Sequence, residues 1–243
     1  MPYLPSRNGF YRINYIEFKE HFMKFPIFKR KSIQKNYIDR WISYLEKIDR
    51  QYQCAFDDNN ETYLRRNCSE NNEVFPQEII FGEIIVMLQF QITNIKSFIQ
   101  DRETITIPIS KFKEGEGFHH TKTDGELYKL KEIPTVIIAE FYNSPLVDGY
   151  VIDGNHRLTS AIKNNYSKVN ALILKEKDLS HLKEAFVTEW DYAFYIFINE
   201  LNIIFNNLAR QTVLSKDILE KSYLSIESPE TYKLDNYFFI KNT

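Results

Sequence analysis

Residues able to do chemistry lie closest together in YVIDGNHRLTSAI, Tyr150–Ile162. An apolar run ends at Ile152, Asp153 and Gly154 turn the chain, and helical spacing begins at Arg157 or Leu158. The first N–H groups of a helix have no intrahelical partner and carry partial positive charge, so a phosphate can dock there. Gly154 lets backbone approach closely, and Asn155 and the backbone could hold phosphates. His156 and Arg157 add donors, the guanidinium matching the fork of phosphate oxygens, and Thr159 or Ser160 offers a hydroxyl. Asp153 could act as a base, hold a metal or orient His156. The plainer reading is a tight turn, Asp-Gly-Asn, with Asp153 capping the helix. Composition alone leaves both open.

Other stretches carry weaker signals. His119 and His120 could contact a metal or phosphate, but a polar pair on an exposed loop is the commoner case. His21–Lys35, HFMKFPIFKRKSIQK, could follow a nucleic-acid backbone through Lys24, Lys29, Arg30, Lys31 and Lys35, its phenylalanines stacking on bases. Its alternative is a solvated charge run beside core phenylalanines. Cys54 and Cys68 lack the second ligand pair that a zinc site needs, and read as reduced thiols.

These residues must be held by elements that the apolar pattern suggests. Ser32 is placed to cap a helix with apolar positions from Ile33 to Ile48. Asp57–Asn72 reads as a loop. From Pro76, the stripe Ile80, Ile84, Leu88, Ile92, Ile95 and Ile99 predicts a helix, with a strand over Met87–Ile92 as the competing assignment. The period then changes to two at Thr104, predicting a strand through Ile105, Ile107 and Ile109. A Gly-containing loop, a short helix over Glu126–Lys131, a buried strand Thr135–Tyr142, a turn at Asn143–Gly149 and a returning strand YVID follow. After the helix that starts the box comes a last strand, Val169–Leu174. Asp178 or Ser180 then starts a long aromatic helix, expected to be core, and Ser215 starts another over Lys216–Leu224.

The Asp-Gly-Asn-His-Arg box and this succession resemble the ParB/sulfiredoxin fold, in which a hairpin strand runs into a Gly-x-His-Arg or Gly-Glu-Arg-Arg box at a helix start. The resemblance covers Thr104–Leu174. Members include partition proteins that hydrolyse CTP, sulfiredoxins that use ATP, free-serine kinases that use ATP or ADP, and proteins described as nucleases. Sulfiredoxins need a cysteine where this chain has Asn155, which excludes their reductase chemistry; partition proteins carry Glu-Arg-Arg where this chain has Asn155, His156 and Arg157. The Asp-Gly-x-His-Arg form looks closer to the kinase-like branch, whose base is a glutamate soon after the first strand. Glu114 or Glu116 occupies that region.

The chain of 243 residues, with 43% hydrophobic and 26% charged, has the composition of a soluble globular protein. Its net charge of -2 argues against a polyanion binder as a whole, but Met1–Arg50 has about 11 basic against 5 acidic residues. No secretory signal opens it, and the apolar segments Ile79–Ile99 and Ala185–Leu208 carry charges that lipid would penalise, so both are expected as buried helices. The expectation is a cytoplasmic α/β (α+β) protein: a helical region 1–103, a ParB/sulfiredoxin-like mixed-sheet unit 104–174, and a helical region 175–243 packed on it. The resemblance implies binding of ATP or another nucleoside di- or triphosphate by Gly154–Arg157, with Mg²⁺, and phosphoryl transfer to a small-molecule acceptor or nucleotide hydrolysis. Asp153 or Glu116 would be base, Asp153 the metal ligand, and His156 and Arg157 would steady transferred charge. The alternative is a nuclease or a nucleotide-switched DNA-binding protein.

Overall fold

The computed structural model describes residues 13–54, 73–81, 84–112, 117–123, 132–144, 147–209, 220 and 222–225. The loop expected at Asp57–Asn72, the helix expected at Glu126–Lys131, Glu114, Glu116, Cys68 and residues 216–219 and 221 of the helix expected over Lys216–Leu224 lie outside them; Tyr223–Ser225, at the end of the last, is a 3-10 turn. The protein is α+β, with helices packed around a two-stranded and a five-stranded sheet.

Asn14 caps α1 (Tyr15–Lys24) by accepting from the backbone N–H of Ile16 and Glu17. In α2 (Lys31–Cys54), Tyr37, Ile38, Trp41, Ile42, Leu45 and Ile48 are buried at the expected spacing. Ser32 lies inside the first turn and is not its cap. The connection between the helices is organised instead by buried Gln34, which accepts from Ile27 and Phe28 N–H and donates to the carbonyls of Phe22 and Phe25.

The single helix expected across Ile79–Ile99 does not form. Strands β1 (Val74–Phe81) and β2 (Ile84–Gln91) make an antiparallel hairpin, and only Ile92–Ile99 is helical, as α3. Isoleucine, valine and phenylalanine dominate the strand portion, with Gly82 between its halves; such residues favour a pleated surface and glycine interrupts a helix. The competing strand assignment at Met87–Ile92 overlaps the second half of β2.

The central sheet has the order β3 (Ile105–Pro108), β7 (Lys168–Leu174), β5 (Thr135–Ser144), β6 (Val147–Asp153), β4 (Gly117–His119). β5 pairs antiparallel with β6 and parallel with β7, while β4 joins β6 in parallel. β4 lies within the stretch expected to be a loop. Its three residues give little local signal, and its pairing with β6 is non-local.

Alternate residues of the central strands face two cores. Val136, Ile138 and Val151 pack with Leu158 and Ala161 of α4 (Asn155–Lys163). On the other face Ile137, Ala139, Tyr150 and Ile152 join the larger core of α1, α2, β2, α3 and α6 (Glu189–Ala209). After α5 (Glu176–Ser180) and a tight turn at Lys183–Ala185, α6 starts at Glu189, later than the expected Asp178 or Ser180. Thr188 and Asp191 form a reciprocal cap there: Thr188 donates from N–H and hydroxyl to Asp191 Oδ2, and Asp191 N–H donates to Thr188 Oγ1. Asp191 also accepts from Gln89 N–H at 3.0 Å, fastening α6 to β2. Burial pushes this fully enclosed carboxyl up to about 7. Among the described residues no helix is long and apolar enough to cross a membrane.

Candidate functional site

β6 ends at Asp153 and α4 begins at Asn155, two or three residues earlier than the apolar spacing indicates. Gly154 is therefore the N-cap. Its φ of 89° is a left-handed conformation, unfavourable for a residue with a Cβ. A Cβ there would stand 3.0 Å from Val136 Cγ1, 3.2 Å from Thr135 O and 3.2 Å from Arg157 Nη2. Gly154→Ala is expected to cost about 1–3 kcal/mol of stability and to displace the Arg157 guanidinium. Urea unfolding checks the first effect.

No side chain caps α4, so the capping role considered for Asp153 is not realised. Its carboxylate instead receives two cations at Oδ2: Arg157 Nη2 at 3.2 Å and Lys96 Nζ at 3.2 Å. Lys96, from α3, also binds Glu73 Oε2 at 2.6 Å. Burial works to lower the Lys96 ammonium, but the Glu73 and Asp153 carboxylates outweigh it and hold it above its usual value.

The other residues of the box divide. His156 and Arg157 are exposed at the start of α4. Asn155 is buried and its side chain is a brace: Oδ1 accepts from Thr121 N–H at 2.9 Å and Nδ2 donates to Val151 O at 2.9 Å. This ties the segment after β4 to the end of β6. Thr159 and Ser160 are buried one turn into the helix, and the Thr159 hydroxyl has no hydrogen-bond partner among the described residues. His119 ends β4 with its ring 5.5 Å from that of Tyr150, and burial lowers its pKa; His120 lies 6.5 Å from Phe112. Among the described residues no group of three or more His, Cys, Asp or Glu could hold a metal.

The basic stretch occupies α1, α2 and their connection. Lys24, Lys29, Arg30, Lys31 and Lys35 are exposed, with Lys35 paired to Asp39 at 2.5 Å. Phe22 and Phe28 are core residues and cannot stack on bases; Phe25 is 51% exposed.

Sequence reasoning missed Lys96 and Glu73. Lys96 is the one charge in ITNIKSFI, which was its only local signal, and what brings it to Asp153 is tertiary packing. It also missed a carboxyl pair elsewhere on the sheet. The parallel register Ala139–Leu174 brings Glu140 beside the start of α5, where Glu176 is buried. Desolvation, with the Glu140 charge adding to it, pushes Glu176 up to about 8. The folded state keeps this proton over a range where the unfolded chain, near 4.5, has lost it, so its stabilisation is present below about pH 4.5 and is lost as pH rises toward 8. Glu176→Gln is expected to flatten that decline and to be more stable than the parent at pH 8, with little difference at pH 4.5. Urea unfolding at the two pH values checks this.

Comparison with protein-family models, curated proteins and solved structures finds no significant match to this chain.

Proposed function

We propose that the start of α4 is a phosphate site for a nucleoside di- or triphosphate, carried on a ParB/sulfiredoxin-like unit and serving phosphoryl transfer or nucleotide hydrolysis. The observation that carries this is the uncapped helix start at a left-handed glycine with the Arg157 guanidinium beside it. Backbone N–H groups and a planar, permanently charged donor together suit the oxygens of an anion such as phosphate.

In this reading Arg157 and His156 bind and neutralise phosphate charge, and backbone N–H groups at Asn155–Arg157 orient it. Catalysis at such a site comes mainly from positioning and charge stabilisation. Mg²⁺ fits as a nucleotide-borne ion, because it binds through one or two carboxylates plus phosphate oxygens, and Asp153 is a single carboxylate at the site. It would supply charge neutralisation between phosphate groups. Asp153 is the described residue available as base; Glu116 stays a sequence-based candidate for that role.

A second reading is a nuclease or nucleotide-switched DNA-binding protein. It is favoured by Lys24, Lys29, Arg30 and Lys31, all exposed in one run with Phe25. Thermal unfolding with ATP, ADP, CTP and GTP, each with and without Mg²⁺, and with a single-stranded oligonucleotide separates the two. A nucleotide at about 100 times its dissociation constant should add roughly 2.7 kcal/mol of stability. No rise with any nucleotide would contradict the first reading, and a rise with the oligonucleotide alone, steeply weakened by salt, would favour the second.

A further inference from the structure

Resting on the second reading above, and independent of α4, we infer that the basic connection between α1 and α2 binds single-stranded nucleic acid, Phe25 stacking on one base while Lys24, Lys29, Arg30 and Lys31 meet the phosphates of the strand. Five cations and no carboxylate lie between Glu20 and Asp39. Lys35 is neutralised by Asp39 at 2.5 Å, whereas the other four are exposed and enter no ion pair among the described residues. Lys29, Arg30 and Lys31 also crowd the start of α2, whose first turn holds no acidic residue. The positive end of a helix repels cations, so this cluster costs stability and calls for an anionic partner.

The face is held rigid. Pro26 disfavours a helical backbone at the residue before it, so α1 ends at Lys24 and Phe25 turns out in extended conformation, with φ -89° and ψ 134°. Ile27 and Phe28 are buried and anchor the connection to the core. Gln34 then fixes the backbone on both sides of Pro26: it donates to Phe25 O at 2.6 Å and accepts from the N–H of Ile27 at 3.0 Å and of Phe28 at 3.2 Å. The Phe25 ring is braced as well. It lies 5.0 Å from His21, which lies 5.3 Å from Phe22, which packs 5.1 Å from Phe197 of α6. A surface already ordered in this way loses little freedom when a strand binds.

The exposed ring decides the form of the partner. Phe22 and Phe28 are core residues, and only Phe25, at 51% exposed, is open to a base. In a duplex each base face is covered by its neighbours, while a single strand turns bases out onto aromatic side chains. An anionic bilayer shares the charge preference but rewards a continuous apolar face. Here exposed Glu20 stands between Phe25 and Ile16, the other exposed apolar residue of α1.

The test is fluorescence anisotropy of the full chain with a single-stranded oligonucleotide, its duplex and an abasic strand of the same length, beside sedimentation with vesicles carrying anionic lipid. Wild type should bind the single strand more tightly than the duplex, and about 5- to 150-fold more tightly than the abasic strand, the range for one base stacked on an aromatic ring. Phe25→Ala should remove that preference and leave abasic affinity unchanged, and Phe25→Tyr should restore it. Log affinity against log salt should fall with a slope of about -3 for four cations on a single strand, and Lys29→Gln should lessen it by about 0.7. The abasic comparison on wild type needs no variant. Equal affinity for all three nucleic acids, unchanged by Phe25→Ala, overturns the inference and leaves the second reading standing. Binding to none of them, whether or not the vesicles are bound, removes the second reading and this inference with it.

Discussion

Arg157→Ala should lose nucleotide affinity by about 10- to 100-fold while leaving the unliganded protein folded. The side chain is 44% exposed and Lys96 still pairs Asp153, itself 14% exposed, so losing the 3.2 Å ion pair is expected to remove only a small part of the roughly 5–15 kcal/mol that holds a typical domain together. The two effects separate cleanly in thermal unfolding. At a concentration about 100 times the parent dissociation constant, wild type gains roughly 2.7 kcal/mol; a hundredfold weaker variant at the same concentration gains only about 0.4 kcal/mol. Equal gains in both proteins would place the ligand elsewhere.

The largest expected effect on folding comes from a residue remote in role from the box. Glu200 is fully buried on α6 and accepts four hydrogen bonds: from Tyr37 hydroxyl at 2.7 Å, Trp41 Nε1 at 2.9 Å and Ser222 hydroxyl at 3.1 Å on Oε2, and from Tyr223 N–H at 2.8 Å on Oε1. One carboxylate therefore joins α2, α6 and the segment after them. Glu200→Ala leaves four buried donors without this acceptor and opens a void among Trp41, Tyr37 and Phe197, which pack ring against ring. A loss of about 3–5 kcal/mol is expected, a large share of the 5–15 kcal/mol that holds a typical domain together. Glu200→Gln should lose less, since a carbonyl oxygen in the Oε2 position keeps three of the four bonds and only the Tyr223 N–H faces an amide. Urea midpoints, compared at constant slope, measure both. A small loss in Glu200→Ala would mean that the three segments are held by apolar packing alone.

The box shows how far local sequence carries. YVID followed by Asp-Gly reads as a strand entering a turn, and β6 ends where that pattern places it. Val169–Leu174 and Thr135–Tyr142 were legible for the same reason, being apolar runs bounded by polar residues. The start of α4 was two or three residues off because Asn155 and His156 are polar and add nothing to an apolar period, while the left-handed Gly154 is the N-cap. The bracing bond from Thr121 N–H to Asn155 was not legible, since the two are 34 positions apart and no spacing rule links them.

The Ile79–Ile99 segment failed differently. Its apolar residues satisfy a helical period and an alternating one together, and choosing between them needed the pairing of Val74–Phe81 with Ile84–Gln91. With that hairpin misread, the turn onto α3 was invisible, and so was the arrival of Lys96 at Asp153. Thus the half of the site that lies in one stretch of chain was readable, and the half contributed by tertiary packing was not.

The central claim, that phosphate docks on the first turn of α4, is tested most directly by following backbone amide resonances while the nucleotide selected by thermal unfolding is added. The expected result is that the largest shifts fall on Gly154, Asn155, His156 and Arg157, and that Arg157→Ala suppresses them at equal nucleotide. Saturable shifts that leave these residues still and cluster at Lys24–Lys35 would contradict it.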